Sequence, residues 1–274
     1  AVGGLPSFGQ EHFGACVLQD KRLTDRAVIT ADAFMRHPGG TLPQKLAFPE
    51  LLGFYDFANN KKVNHALVME GHFRRTRECM AACTGTVLII HDTTEADYSG
   101  LSIPDQGPIG NGLCQGLLLT NVPTQGKSQA WERVDWYECR PIVEEFHKAQ
   151  KTGCGIENLQ FTTRKALETA IGMLSVVATQ LLRLRDISRR PDGDTRRADD
   201  VVDPQYVQIM SLRRFKEERP AMSVKEFLYA LARLGGHLGR RLDRLPGWLV
   251  LWRGWSELQR LVEGARLLRL KRSG

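Results

Sequence analysis

Apolar and polar positions alternate at helical spacing through the first eighty residues. Asp20 can cap a helix that runs through Arg22, Arg26, Ile29 and Ala33, and Pro38-Gly39-Gly40 stops it. A second helix is predicted over Pro43 to Tyr55. A third is predicted over Val63 to Met80, with Leu67, Phe73 and Met80 among its apolar positions. The pattern then changes. Thr86 to Ile90 is a short, nearly continuous β-branched and apolar run, which predicts a buried strand. Residues 100 to 112 read as a loop, 117 to 122 as a second strand, and 123 to 129 as polar turn material. Helical spacing returns from Val134 to Gly153. It returns again from Arg164 to Arg185, where Leu167, Ile171, Leu174, Val177, Ala178 and Leu181 form one apolar stripe. Residues 188 to 203 are rich in Arg, Asp and Pro and read as a linker. A basic helical region follows from Pro204.

Composition changes this picture in two places. Hydrophobic residues make up 42% of the 274 positions, enough to fill a core, so wholesale disorder is excluded. The net charge of +7 points to a polyanionic partner, nucleic acid or an acidic membrane surface. The excess is concentrated: from Gln205 onward 15 basic residues face 6 acidic ones, a net of +9. A solvated basic helix end would give the same count. The six cysteines include no CxxC pair, and Cys79 and Cys83 have no zinc-spaced partner, which fits scattered thiols in a reducing cytoplasm. No membrane span and no signal peptide are expected.

Two constellations could carry chemistry. Asp92 follows the predicted strand at its carboxyl end, where α/β sheets place ligands; a turn-capping Asp would look the same. Tyr137, Arg140, Glu144, Lys148 and Lys151 follow at steps of 3, 4, 4 and 3, which stacks them on one helix face with His147 beside it. Such a face could set a metal ligand beside phosphate-holding cations. It could equally be a solvated face with a Glu144–Lys148 pair. Pro141 either kinks the helix or begins a new one, with Tyr137 on the preceding turn.

The Tyr137, Arg140, Glu144, Lys151 spacing resembles the signature of bacterial DDE transposases of the insertion-sequence-four type. His91-Asp92-Thr93-Thr94 is similar to the strand end that bears the family's first catalytic Asp. Residues 19–26 resemble its amino-terminal DNA-binding segment, and Ala232 to Gly236 and Trp248 to Trp255 its carboxy-terminal helices. The resemblance implies an α+β, mostly helical fold: a truncated RNase H-like core between helical N-terminal and C-terminal domains. The expected parts are a DNA-binding domain (1–82), the core (83–187), a linker (188–203) and a dimerisation domain (204–274). The resemblance also implies Mg²⁺ or Mn²⁺ held by Asp92 and Glu144. DNA would be held by Arg22, Arg26, Tyr137, Arg140, Lys148 and Lys151. A homodimer would act on double-stranded terminal repeats in a bacterial cytoplasm, at the nucleoid. Trp248, Leu251, Trp252, Trp255 and Leu258 would anchor that dimer or form the private core of a small helical domain.

The sequence departs from the family in one decisive place. No Asp-Arg pair lies between Asp92 and Glu144, and Glu132 and Asp135 are off the ligand position. The stretch from Val122 to Tyr137 is too short for the core's remaining strands, which points to an internal deletion. The resemblance therefore implies a transposase for metal-dependent strand cleavage and transfer that is inactive for want of its second Asp. Glu95 or Asp97 could replace that ligand. The alternatives are a non-catalytic DNA-binding or dimerising remnant that inhibits intact transposase, and an unrelated helical scaffold.

Overall fold

In the computed structural model, residues 6–90, 122–217, 221–240 and 245–273 are described. They fall into two units: residues 1–82 with 146–274, and residues 83–145.

The first unit is built from helices whose ends the sequence marks clearly. Helix α1 (Phe8–Phe13) is capped by the Ser7 hydroxyl. Helix α2 (Lys21–Arg36) is capped by Asp20, whose carboxylate accepts from the Arg22 N–H at 3.0 Å. The Pro43 segment is split into α3 (Leu42–Lys45) and α4 (Phe48–Asn59), because Leu46 and Ala47 are extended and Pro49 sits in the first turn of the new helix. Helix α5 (His65–Ala81) follows an Asn64 cap.

Helix α8 (Arg164–Arg189) is the post on which this unit is built; it packs against α2, α4 and α5. Leu174, Val177 and Ala178 of the expected stripe are buried, Leu167 and Ile171 are half-buried, and Met173 and Val176 are buried as well. Burial thus extends beyond one stripe, which explains the apolar character of the whole helix. By length and composition α8 could cross a membrane, a property the apolar-run reading missed; here 59% of its apolar window is buried against the protein itself. Phe13, Phe34, Phe54 and Phe57 fill the space beside it, with the Phe34 and Phe54 rings edge to face at 5.2 Å.

Beyond α8 the chain turns through Ala198–Asp200 into α9 (Pro204–Phe215), α10 (Val224–Leu234) and α11 (Trp248–Ser273). The linker segment is tied down. Val224 N–H donates to the Arg196 carbonyl at 2.9 Å, Ala198 N–H donates to the Met222 carbonyl at 2.9 Å, and Arg197 and Ser223 form an isolated bridge. Ser223 closes a capping box with Glu226 at the start of α10. Ser223→Ala should lower stability by about 1 kcal/mol, read as a shifted urea midpoint at unchanged slope. Helices α10 and α11 cross very closely: a Cβ on Gly254 would lie 1.9 Å from the Leu231 carbonyl oxygen, and one on Gly235 would lie 1.8 Å from that of Val250.

The second unit contains α6 (Gly126–Tyr137), none of whose residues is buried, and the start of α7 (Pro141–Lys148). The expected single helix over 134–153 is thus broken at Glu138–Arg140. Pro141 is the first residue of the new helix, and the chain continues into a π-helical turn at Ala149–Gly153.

The expected α+β fold with a truncated RNase H-like core is corrected here. Among the described residues there is no β-strand. Thr86 to Ile90, read as a buried strand, has no regular structure, and Ile89 is 70% exposed. The other expected strand lies outside the described residues except for Val122, which is exposed. A strand holds its shape only when neighbours take up its backbone N–H and C=O groups. The run at 86–90 finds none among the described residues, so its apolar composition alone does not make it one.

Candidate nucleic-acid interface

The start of α2 and the turn after α4 are brought together by the packing of these two helices. Arg22 stands in the first turn of α2, 90% exposed at its side chain, and reaches back to its own cap, with Nη2 3.0 Å from Asp20 Oδ2. Arg26 lies one turn on and is half-buried. Its guanidinium rests on α4 where Gly53 makes room, since a Cβ there would come within 2.7 Å of Arg26 Cζ. Lys61 and Lys62 are exposed in the turn that leaves α4, held by Asn60, whose side-chain oxygen accepts from the Lys62 N–H at 2.9 Å. The two places share a field: the Asp20 carboxyl is held below its usual range by hydrogen bonds from the Arg22 side chain and N–H, and by the charges of Arg22 and Lys62.

This surface is basic by arrangement rather than by total. Residues 6–63 carry seven Lys and Arg against six Asp and Glu, a net of only +1. Several acids are consumed by structure. Asp20 caps α2, Asp32 accepts from the Gly9 N–H at 2.6 Å, and Glu50 accepts from the Ala47 N–H at the start of α4. The exposed Lys21, Arg22, Lys61 and Lys62 remain as an outward-facing cationic edge. The sequence reading reached Arg22 and Arg26 but gave no weight to Lys61 and Lys62. Their signal was the Asn59-Asn60-Lys61-Lys62 turn at a helix end. Lys45 contributes nothing outside: it is buried, its Nζ donates to the Pro38 and His37 carbonyls, and burial lowers its pKa to about 8.

The Tyr137-to-Lys151 stripe is interrupted. In the second unit, Tyr137 ends α6, and Arg140 pairs with Glu144 at 2.8 Å on α7, in place of the expected Glu144–Lys148 pair. In the first unit, Lys148 is exposed, and Lys151 pairs with Glu157 at 3.2 Å from the π-helical turn. Exposed pairs of this kind contribute at most about 1 kcal/mol. Asp92 lies outside the described residues, as do Glu95 and Asp97.

The described residues do not fit the two-metal centre. None of their His, Cys, Asp and Glu side chains gather in a group of three or more able to hold a cation. Glu144 is half exposed and already engaged by Arg140. The metal-dependent strand cleavage and transfer that the resemblance implied, with its DDE triad, RNase H-like sheet and magnesium, is therefore corrected: the described structure supplies neither the sheet nor the carboxylate cluster.

The tryptophans weighed as dimer anchors are buried within the chain's own core, together with Leu251 and Leu258. Trp248 and Trp252 stack at 5.5 Å and both border Gly153; Trp255 stacks on Tyr206 at 5.2 Å.

Residues 6–63, which span α1 to the turn after α4, match the family model described as transposase DNA-binding.

Proposed function

We propose that this chain is a DNA-binding protein related to transposases that works without strand-cleaving chemistry of its own, occupying transposon ends and thereby restraining an intact transposase. The observation that carries the reading is the coincidence of the family match with the cationic edge of Lys21, Arg22, Lys61 and Lys62. Phosphates dominate DNA affinity, and exposed Lys and Arg on a rigid helix pair are suited to them. Pairing of two copies on two ends belongs to the same reading.

Fluorescence anisotropy tests it, using a duplex with the terminal repeat of the encoding element and a scrambled duplex, in EDTA. Binding should persist without divalent metal, favour the terminal repeat, and weaken steeply with salt. Arg22→Gln and Lys62→Gln should each lower the slope of log K against log salt by about 1. Arg164→Gln, exposed on α8, should leave it unchanged. Equal slopes in all variants would refute this interface. Metal-dependent cutting of the duplex would refute the non-catalytic reading.

A further inference from the structure

A second site lies within the first unit, apart from the cationic edge. A cleft of about 550 Å³ opens between α1 and α2 on one side and α8, α9 and α11 on the other. That volume suits a small molecule. Its walls carry Arg36, Arg183 and Arg196, and the rings of Phe8, Tyr206 and Trp255.

Three features define the chemistry of the cleft. Trp255 is only 4% exposed and stacks on Tyr206 at 5.2 Å, so the two rings back the cleft as one rigid pair. Second, among the described residues the side chains of Arg36, Arg183 and Arg196 make no hydrogen bond or ion pair, whereas most of the acids around them are engaged. Asp32 takes the Gly9 N–H, Glu11 pairs with Arg75, and Asp203 caps α9. Asp200 is exposed at the edge, and a fourth arginine of the lining, Arg266, donates its Nε–H to Gln205. Third, the remaining wall is flat and apolar, with Phe8, Met35 and Val201 beside the stacked Tyr206 and Trp255 rings. Burial pushes the Tyr206 phenol up to about 12, so its hydroxyl stays a donor through the neutral range.

We propose that this cleft binds a small aromatic anion, a flat ring carrying a phosphate or a carboxylate. The anionic group would be held by the Arg36, Arg183 and Arg196 guanidinium groups, and the ring would lie against the apolar wall. Arginine's planar fork matches both oxyanions in a two-point contact. A ligand seated here touches α1 and α2 as well as α8 and α11, so it would stabilise the unit by mass action.

Calorimetric titration of the full chain without DNA tests this, with phenyl phosphate and benzoate as probes and inorganic phosphate and phenol as their separate halves. At least one aromatic anion should bind saturably and at least tenfold more tightly than either of its halves, because ring and charge contribute together. A stronger response to phenyl phosphate would identify the group as a phosphate, and to benzoate as a carboxylate. Arg183→Gln should weaken binding about tenfold, the loss of one charged hydrogen bond. Arg183 is exposed, so its variant leaves the core intact. No saturable binding of either anion, or equal affinity in Arg183→Gln and the parent, would overturn the proposal.

Discussion

Replacing Gly254 by Ala should cost about 4 kcal/mol or more and lower the melting temperature by about 10 °C or more. The added methyl group would stand 1.9 Å from the Leu231 carbonyl oxygen and 2.8 Å from its carbon, both backbone atoms of α10. No rotamer change relieves such a contact, so α10 and α11 must move apart. That movement opens the contacts of Leu251 and Leu258, which are fully buried, and draws Trp255 off Tyr206. Gly264 on the same helix is the control, because a Cβ there meets nothing within 4 Å. Gly264→Ala should be neutral or stabilise by up to about 1 kcal/mol, the ordinary gain of Ala over Gly in a helix. Urea unfolding followed by far-ultraviolet dichroism reads both. Equal stability of Gly254→Ala and the parent would show that the helices do not cross so closely.

Stability should also fall as the pH drops from 6.5 toward 3, by on the order of 4 kcal/mol from His12 alone. His12 is buried between α1, α5 and α8, its Nδ1 3.1 Å from His72 Nδ1 and its Nε2 2.7 Å from the Gln180 amide nitrogen. An amide nitrogen only donates, so His12 Nε2 accepts and its Nδ1–H donates to His72. A second proton on His12 would have to sit where Gln180 already donates. Burial opposes that charge most, followed by His72, Arg75 and Arg183, and together they bring the His12 pKa down to about 3. Glu11 lies 4.0 Å away but is paired with Arg75.

The unfolded chain protonates His12 near 6.5 while the folded chain does not. The unfolded state therefore holds more protons between those two values, and the contribution present above 6.5 is lost on the way down. The pKa values of His72 and His37 are lowered as well, both chiefly by burial, and add in the same direction. His12→Gln cannot titrate, so its stability should depend less on pH between 6.5 and 5, by about 1.4 kcal/mol per unit. The slope is the readout, since the substitution shifts absolute stability for packing reasons too. An unchanged slope would mean that His12 is charged in the folded protein.

How far the sequence discloses this molecule depends on how local each determinant is. The Asp20 cap, the Pro38-Gly39-Gly40 stop and the α8 stripe act within one or two turns, and the structure has them where spacing predicts. The run at 86–90 is different. Its composition suits a buried strand, but burial needs partners that no window of five residues contains. Glu144 had cations both four residues ahead and four behind, and spacing alone could not say that Arg140, at the turn before α7, would take it. The tryptophan cluster gave the same pattern for a core as for an interface until Gly153 and Tyr206 were seen against it. The cationic edge was half legible: a capped, arginine-bearing helix start is a local feature. Lys62 joins it only through the packing of α4 on α2.

The placement of α8 also bears on the order in which the protein can be made. The helices of the matched segment complete their core on residues far along the chain: His12 meets Gln180 across 168 positions, and the Met35 carbonyl meets Gln259 across 224. During synthesis at roughly 5–20 residues per second, α1 to α5 leave the ribosome on the order of ten seconds before the helix that covers Phe54 and Phe57. For that interval the nascent chain presents a row of uncovered aromatic rings, a natural site for chaperone capture. Transcripts cut short before the α8 codons would encode helices that bear the cationic edge but lack the surface on which they settle.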